Sequence, residues 1–171
     1  MGFGSAREYT MDAATSRSLA RLVRTERIAH LATLRSGAPM VSMTLYRAAD
    51  DFAAFYVHVS RLAWHTQDMQ HEPRVALSIA ETDDRRADPF TLMRVSIRGD
   101  ATPIANDAAD FAALKSTWLE RFPEQAINFE LADFSFWAIT PRDARFVAGF
   151  GRIHNLSAAE LARCANSGPG S

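Results

Sequence analysis

Apolar positions at helical spacing open the chain, and an alternating pattern replaces them after Arg27. Within residues 12–26, Leu19, Leu22 and Val23 fall at i, i+3 and i+4, which predicts a helix with Thr15 or Ser16 as its candidate cap. Ile28 to Leu34 then predicts a strand, and Arg35-Ser36-Gly37-Ala38-Pro39 a turn. From Met40 to Arg47, Val41, Met43 and Leu45 alternate with Ser42, Thr44 and Tyr46. After Asp50-Asp51, Phe52 to Val59 supplies a third, mostly apolar strand. Short turns between successive strands make this an antiparallel meander.

The alternation breaks at Ser60. Leu62 to Gln70 predicts a short helix stopped by Pro73, and Arg74 to Ala80 a further strand. A charged loop, Glu81 to Pro89, leads into a long strand from Thr91 to Ile104, bent at Gly99. Phe111, Leu114 and Trp118 mark a helix for which Asn106 or Asp107 is the candidate cap. Phe134 to Thr140 alternates again, Ala144 to Phe150 gives a last strand, and Ser157-Ala158-Ala159-Glu160 is a capping box for a terminal helix. Gly168 to Ser171 reads as a frayed tail. The pattern predicts a mainly β, α+β fold: a small barrel of about six antiparallel strands with helices packed outside. Strands and helices do not alternate regularly, which disfavours a doubly wound parallel sheet.

Composition adds boundaries. A chain of 171 residues, 47% hydrophobic and 23% charged, suits one domain with a self-sufficient core. A net charge of -1 gives no global attraction to nucleic acid or an anionic membrane, though a local basic group can still bind one phosphate. The single cysteine, Cys164, excludes an intramolecular disulfide and a Cys-rich metal site. Met1 to Thr10 carries Glu8 and no long apolar run, so the expectation is a cytoplasmic protein without a signal peptide or membrane span.

The stretch that carries chemistry is Val57-His58-Val59-Ser60-Arg61-Leu62-Ala63-Trp64-His65-Thr66. A strand ends where a helix begins, and a helix N-terminus offers unpaired N–H groups to an anion. Arg61 can give a phosphate two parallel hydrogen bonds, Ser60 and Thr66 one each, and His65 lies a turn beyond Arg61. The competing reading is structural: Ser60 caps the helix, Arg61 is solvated and His65 packs on its neighbours. His30, His58 and His71 read as structural, since no spacing suggests a metal site.

These residues resemble the pyridoxamine 5′-phosphate oxidase-like flavin proteins, most closely the HugZ-type haem-utilisation branch. The similarity is carried by Ile28 to Leu34 with Gly37-Ala38-Pro39, by Ser60 to Thr66, by Pro73 to Leu77, by Arg94 to Gly99 and by Ala144 to Arg152. It covers residues 15–165 and corresponds to the N-terminal barrel domain of that branch, so residues 1–171 are expected to be one FMN-binding split-barrel domain with flexible tails. The resemblance implies a six-stranded antiparallel split β-barrel and a homodimer with two FMN sites at its interface. It places Ser60, Arg61, His65 and Thr66 at the phosphate, Ser42, Met43 and Thr44 along the ring edge, and Val59 beside the ribityl chain. Trp137 and Arg152 are the candidates contributed by the second subunit; Trp137 otherwise belongs to the core, and Arg152 otherwise to solvent.

The expected function is an FMN-dependent oxidoreductase acting on a small molecule, with no side chain singled out as acid or base and no metal. The alternatives are a haem- or flavin-binding carrier or sensor without turnover, and an empty barrel that only dimerises. Neither nucleic acid nor a membrane is expected as a partner.

Overall fold

The structure, a computed structural model, describes residues 11–167; the expectations for Met1 to Thr10 and for the tail Gly168 to Ser171 lie outside them. The first helix, α1, spans Ala13–Thr25, and its cap is Asp12 rather than Thr15 or Ser16: the Asp12 carboxylate accepts from Thr15 N at 2.7 Å. Strands β1 (Ile28–Arg35), β2 (Ala38–Leu45), β3 (Arg47–Ala48) and β4 (Phe55–Ser60) follow, then α2 (Trp64–His71). β5 (Arg74–Ala80), β6 (Arg94–Pro103), α3 (Phe111–Arg121), β7 (Phe134–Val147), β8 (Ile153–Ser157) and α4 (Ala158–Ala165) complete it. Short 3₁₀ segments, Pro89–Thr91 and Pro123–Glu130, flank β6 and α3.

The fold is the expected mainly β split barrel, with eight strands among the described residues rather than six. The regions read as two strands after Phe134 are one continuous β7, while β3 and β8 are additional. The sheet runs β2-β1-β5-β6-β7-β4-β3, all pairs antiparallel, with β8 on the outer part of β7. β2 and β3 lie at opposite ends of this order yet are separated in the chain only by Tyr46. The segment Ala38–Ala48 therefore closes the barrel: its first part pairs with β1 and its last with β4. Where β2 passes β4 no backbone ladder joins them, and the barrel is split there.

Strand alternation sorts side chains between two cores. Phe55, Val57 and Val59 of β4 point into the barrel with Trp137 and Ile139 of β7, joined by Leu31, Leu77 and Ile97. Phe136 points the other way, under α3, with Leu114, Trp118 and Phe122. Gly99 sits at a register shift between β6 and β7, and a Cβ there would lie 2.4 Å from the Thr140 carbonyl oxygen. The expected bend at Gly99 is thus a bulge only glycine fits. α3 starts at Phe111 after Asp110, later than Asn106 or Asp107 would place it, and without a side-chain cap. The capping box of α4 forms as the sequence reads: Ser157 Oγ accepts from Glu160 N, and the Glu160 carboxylate accepts from Ser157 N at 2.7 Å.

Candidate functional site

β2 presents its residues opposite to an ordinary half-buried strand. Thr44 is buried, whereas Val41 and Met43 are 58% and 63% exposed, beside exposed Ile28 of β1. The apolar members of the alternation face outward, a pattern that calls for a covering partner or ligand.

This outward wall borders a cavity of about 1120 Å³ in the split between β2 and β4. Met43 and Thr44 line it from β2, and His58, Val59 and Ser60 from β4. Ala63 and His65 close one end at the start of α2, and Phe134 and Gln125 contribute from the segments beneath α3.

α2 is held against β1 by a buried carboxylate. Asp68 accepts from Thr33 Oγ1 at 2.8 Å and from Arg35 Nη1 at 3.0 Å, while the Arg35 guanidinium lies 4.2 Å from the Trp64 ring centroid. Pairing supports such a burial, since an unpaired buried carboxylate would be strongly destabilising. The helix N-terminus so fixed has Ala63 at its cap position and no side-chain cap; Thr66 N donates to the Ala63 carbonyl at 3.1 Å, and among the described residues the Trp64 and His65 N–H groups remain available.

The turn before it is organised by Asp133. The Asp133 backbone oxygen accepts from Arg61 N at 2.7 Å, and its carboxylate accepts the Ser60 hydroxyl proton. Ser60 Oγ in turn accepts from Leu62 N at 3.1 Å. Arg61 itself is exposed, and its guanidinium makes no hydrogen bond or ion pair among the described residues. His65 leaves Nε2 buried without a partner among the described residues, and burial holds its pKa below the ordinary value, with Asp68 opposing.

Of the candidates read from the sequence, the fold brings Met43, Thr44, Val59, Ser60 and His65 to one cavity. Arg61 is at its α2 end, on the surface. Thr66 is fully buried, its hydroxyl enclosed and without a partner among the described residues. Ser42 lies opposite Leu31 on β1, outside the cavity wall. Trp137 is 3% exposed in the chain's own core, and Arg152 is exposed at the turn joining β7 to β8, 3.4 Å from Thr15 Oγ1.

His58 was not singled out by the sequence as a functional residue. It lines the cavity, and its ring stacks on Phe129 at 4.2 Å and 13°. Burial, with Lys115 adding repulsion, lowers its pKa to about 4, so it is neutral at physiological pH. A histidine in an otherwise apolar strand run, two positions before Ser60, was the available signal. Among the described residues no cluster of His, Cys, Asp and Glu suits a metal ion, and no helix is long and apolar enough to cross a membrane.

A family model described as pyridoxamine 5′-phosphate oxidase matches residues 16–148. The non-canonical heme oxygenase HOZ, chloroplastic, of Arabidopsis thaliana is 34% identical over 113 residues, covering 66% of this chain and 33% of that protein. The chain thus spans about a third of that relative's length. A heme binding protein from Mycobacterium smegmatis superposes with a TM-score of 0.79 at 23% identity, over 90% of this chain and 62% of that one. ChuZ of Campylobacter jejuni does so with a TM-score of 0.77 at 16% identity, over 90% and 63%. These two structures have the same split-barrel fold.

Proposed function

Since the chain belongs to the pyridoxamine 5′-phosphate oxidase family, we propose that it is an FMN-binding protein and a flavin-dependent oxidoreductase for a small organic substrate. The observation that carries this reading is the cleft itself: the exposed Arg61 and the N-terminus of α2, which has no side-chain cap, lie at one end, and an exposed apolar wall runs along β2. Phosphate and planar ring require those two environments at opposite ends of one site.

The residues fit the cofactor. Arg61, the uncapped N-terminus of α2 and the Ser60 turn would hold the phosphate, with His65, which lines the cavity from the first turn of α2, beside them. Val59, Thr44 and Met43 would lie along the remainder, with Ser42 contributing through the backbone of the same strand. Thr66, its hydroxyl shut inside, supports the turn rather than the anion. When bound, FMN supplies hydride or single-electron chemistry; the protein binds it, orients it and excludes water. The exposed face of Ile28, Val41 and Met43, with Leu62 and Trp64 nearby in sequence to the site, favours a homodimer that covers the cleft. Arg152, exposed on its turn, is the residue proposed to reach the partner's site. Trp137, committed to its own core, is not carried into this set.

The test is the visible spectrum of the purified protein, with identification of the cofactor released on heating. A flavin spectrum with FMN in the supernatant supports the reading. A colourless protein that fails to take up added FMN refutes it.

A second reading is haem binding without turnover. His30, His58 and His65 border an apolar cavity, and several relatives are described as haem proteins. Titration with haem decides: a saturating Soret band at one haem per chain supports this reading, and its absence removes it.

A further inference from the structure

His58 belongs to an aromatic cluster whose other members are apolar or, in Trp118, an indole. Phe129 stacks on it at 4.2 Å, Phe136 tilts against it at 4.6 Å, Phe134 lies at 5.4 Å, and Trp118 meets it edge-on at 6.0 Å. The residue is 9% exposed, and Nδ1 is fully enclosed with no hydrogen-bond partner among the described residues. Phenylalanine would fill the same space without the desolvation penalty of an unpaired ring nitrogen. Packing alone therefore does not account for an imidazole here.

What remains accessible on the ring is narrow. Its faces are occupied by neighbouring aromatics and Nδ1 is sealed, yet His58 lines the cavity. Nε2 is the polar atom left to meet a ligand. A buried N–H without an acceptor is a rarer and costlier defect than a buried lone pair, so the proton resides on Nε2 and the lone pair on the enclosed Nδ1.

We infer that His58 is a ligand-contacting residue that donates its Nε2–H to a carbonyl-type oxygen on the planar ring system bound in the cleft. This rests on reading the cleft as the FMN site, and it adds a directional donor to what would otherwise be an apolar wall. The donor persists across physiological pH because the ring does not take up a second proton there. It also sets His58 apart from His65, which stands on α2 at the phosphate end.

The experiment compares wild type, His58→Phe and His58→Gln, each stripped of cofactor and titrated with FMN. The expected result is FMN affinity about five- to tenfold weaker in His58→Phe, the scale of one neutral hydrogen bond. A shifted flavin absorption maximum should accompany it, and His58→Gln should recover part of both. Imidazole ¹⁵N spectra of the wild type provide a second readout that needs no variant to fold. They should report the Nε2–H tautomer in the free protein and a displaced Nε2–H signal once FMN is added. Unchanged affinity and spectrum in His58→Phe, or a His58 signal unmoved by bound FMN, would overturn the inference while leaving the cofactor reading intact. A wild type that takes up no FMN would overturn both.

Discussion

The same barrel carries two arginine-bearing surfaces that treat their charges in opposite ways. Around the Gly99 bulge, a groove of about 440 Å³ is lined by Arg74, Arg98 and Arg142. Each has an acid: Arg74 reaches Glu72 at 2.7 Å, Arg98 reaches Asp143 at 2.6 Å, and Arg142 reaches Asp100 at 2.5 Å. In the cleft between β2 and β4 the polar groups are left open. Among the described residues the Arg61 guanidinium has no partner, the His58 ring lines the cleft with Nδ1 enclosed and Nε2 left for a ligand, and α2 has no side-chain cap. Groups satisfied internally have little left to offer a ligand, whereas unpaired ones are a standing cost that a ligand can relieve. The contrast supports the cleft as the proposed site and gives the arginines of the groove a structural part.

The strongest way to break the structural side is at Gly99. A Cβ there meets the backbone of Thr140, and β7 cannot yield easily because it is paired to β4, β6 and β8. Gly99→Val is expected to destabilise the fold by about 3 kcal/mol or more, at the upper end of overpacking effects. Urea denaturation measures it, and an unchanged midpoint would contradict the bulge.

Next in size is acid sensitivity through His58. The ring titrates near its ordinary 6.5 when unfolded and near about 4 when folded, so the unfolded chain takes up the proton first. Stability is full above that upper value and falls as pH drops through the window to the folded pKa, by on the order of 3 kcal/mol. Stability across this range should slope in wild type and less steeply in His58→Phe, where His65, also held low by burial, keeps its own contribution. Equal slopes would mean the ring is not buried neutral.

Much of the frame is legible in the sequence because its signals are local. The α1 periodicity, the Gly99 break, the α4 capping box and the strand-to-helix junction at Ser60 and Arg61 all lie within a few residues of what they determine. β8 escaped because its inward positions, His154 and Leu156, hold one apolar residue while apolar Ile153 is exposed, so its residue types show no alternation. The facing of β2 escaped for a different reason. Alternation says which residues share a face, and Val41 and Met43 do, but it cannot say that their face is the outer one. Asp133, which fixes the Ser60 turn, arrives from 73 residues away. His58 likewise takes its meaning from Phe129 and Phe136, which only the fold brings alongside.

The contrast between the two surfaces sharpens in a pair of arginine substitutions. Arg61→Ala removes a guanidinium with no partner among the described residues, so its loss should appear in FMN binding and scarcely in stability. One charge-assisted contact to phosphate corresponds to about 10- to 100-fold in affinity. Arg98→Ala removes an exposed cation already paired with exposed Asp143, and exposed pairs of this kind contribute little because water and salt screen them. It should leave FMN affinity untouched and the denaturation midpoint almost unmoved. The effect of Arg98→Ala is the smallest expected here, and it is also the control on Arg61. If both variants weakened FMN equally, the effect would follow net charge rather than position, and the cleft would lose its claim to the phosphate. If only Arg61→Ala did so, an unpaired arginine at the head of an uncapped helix would be the distinguishing cause.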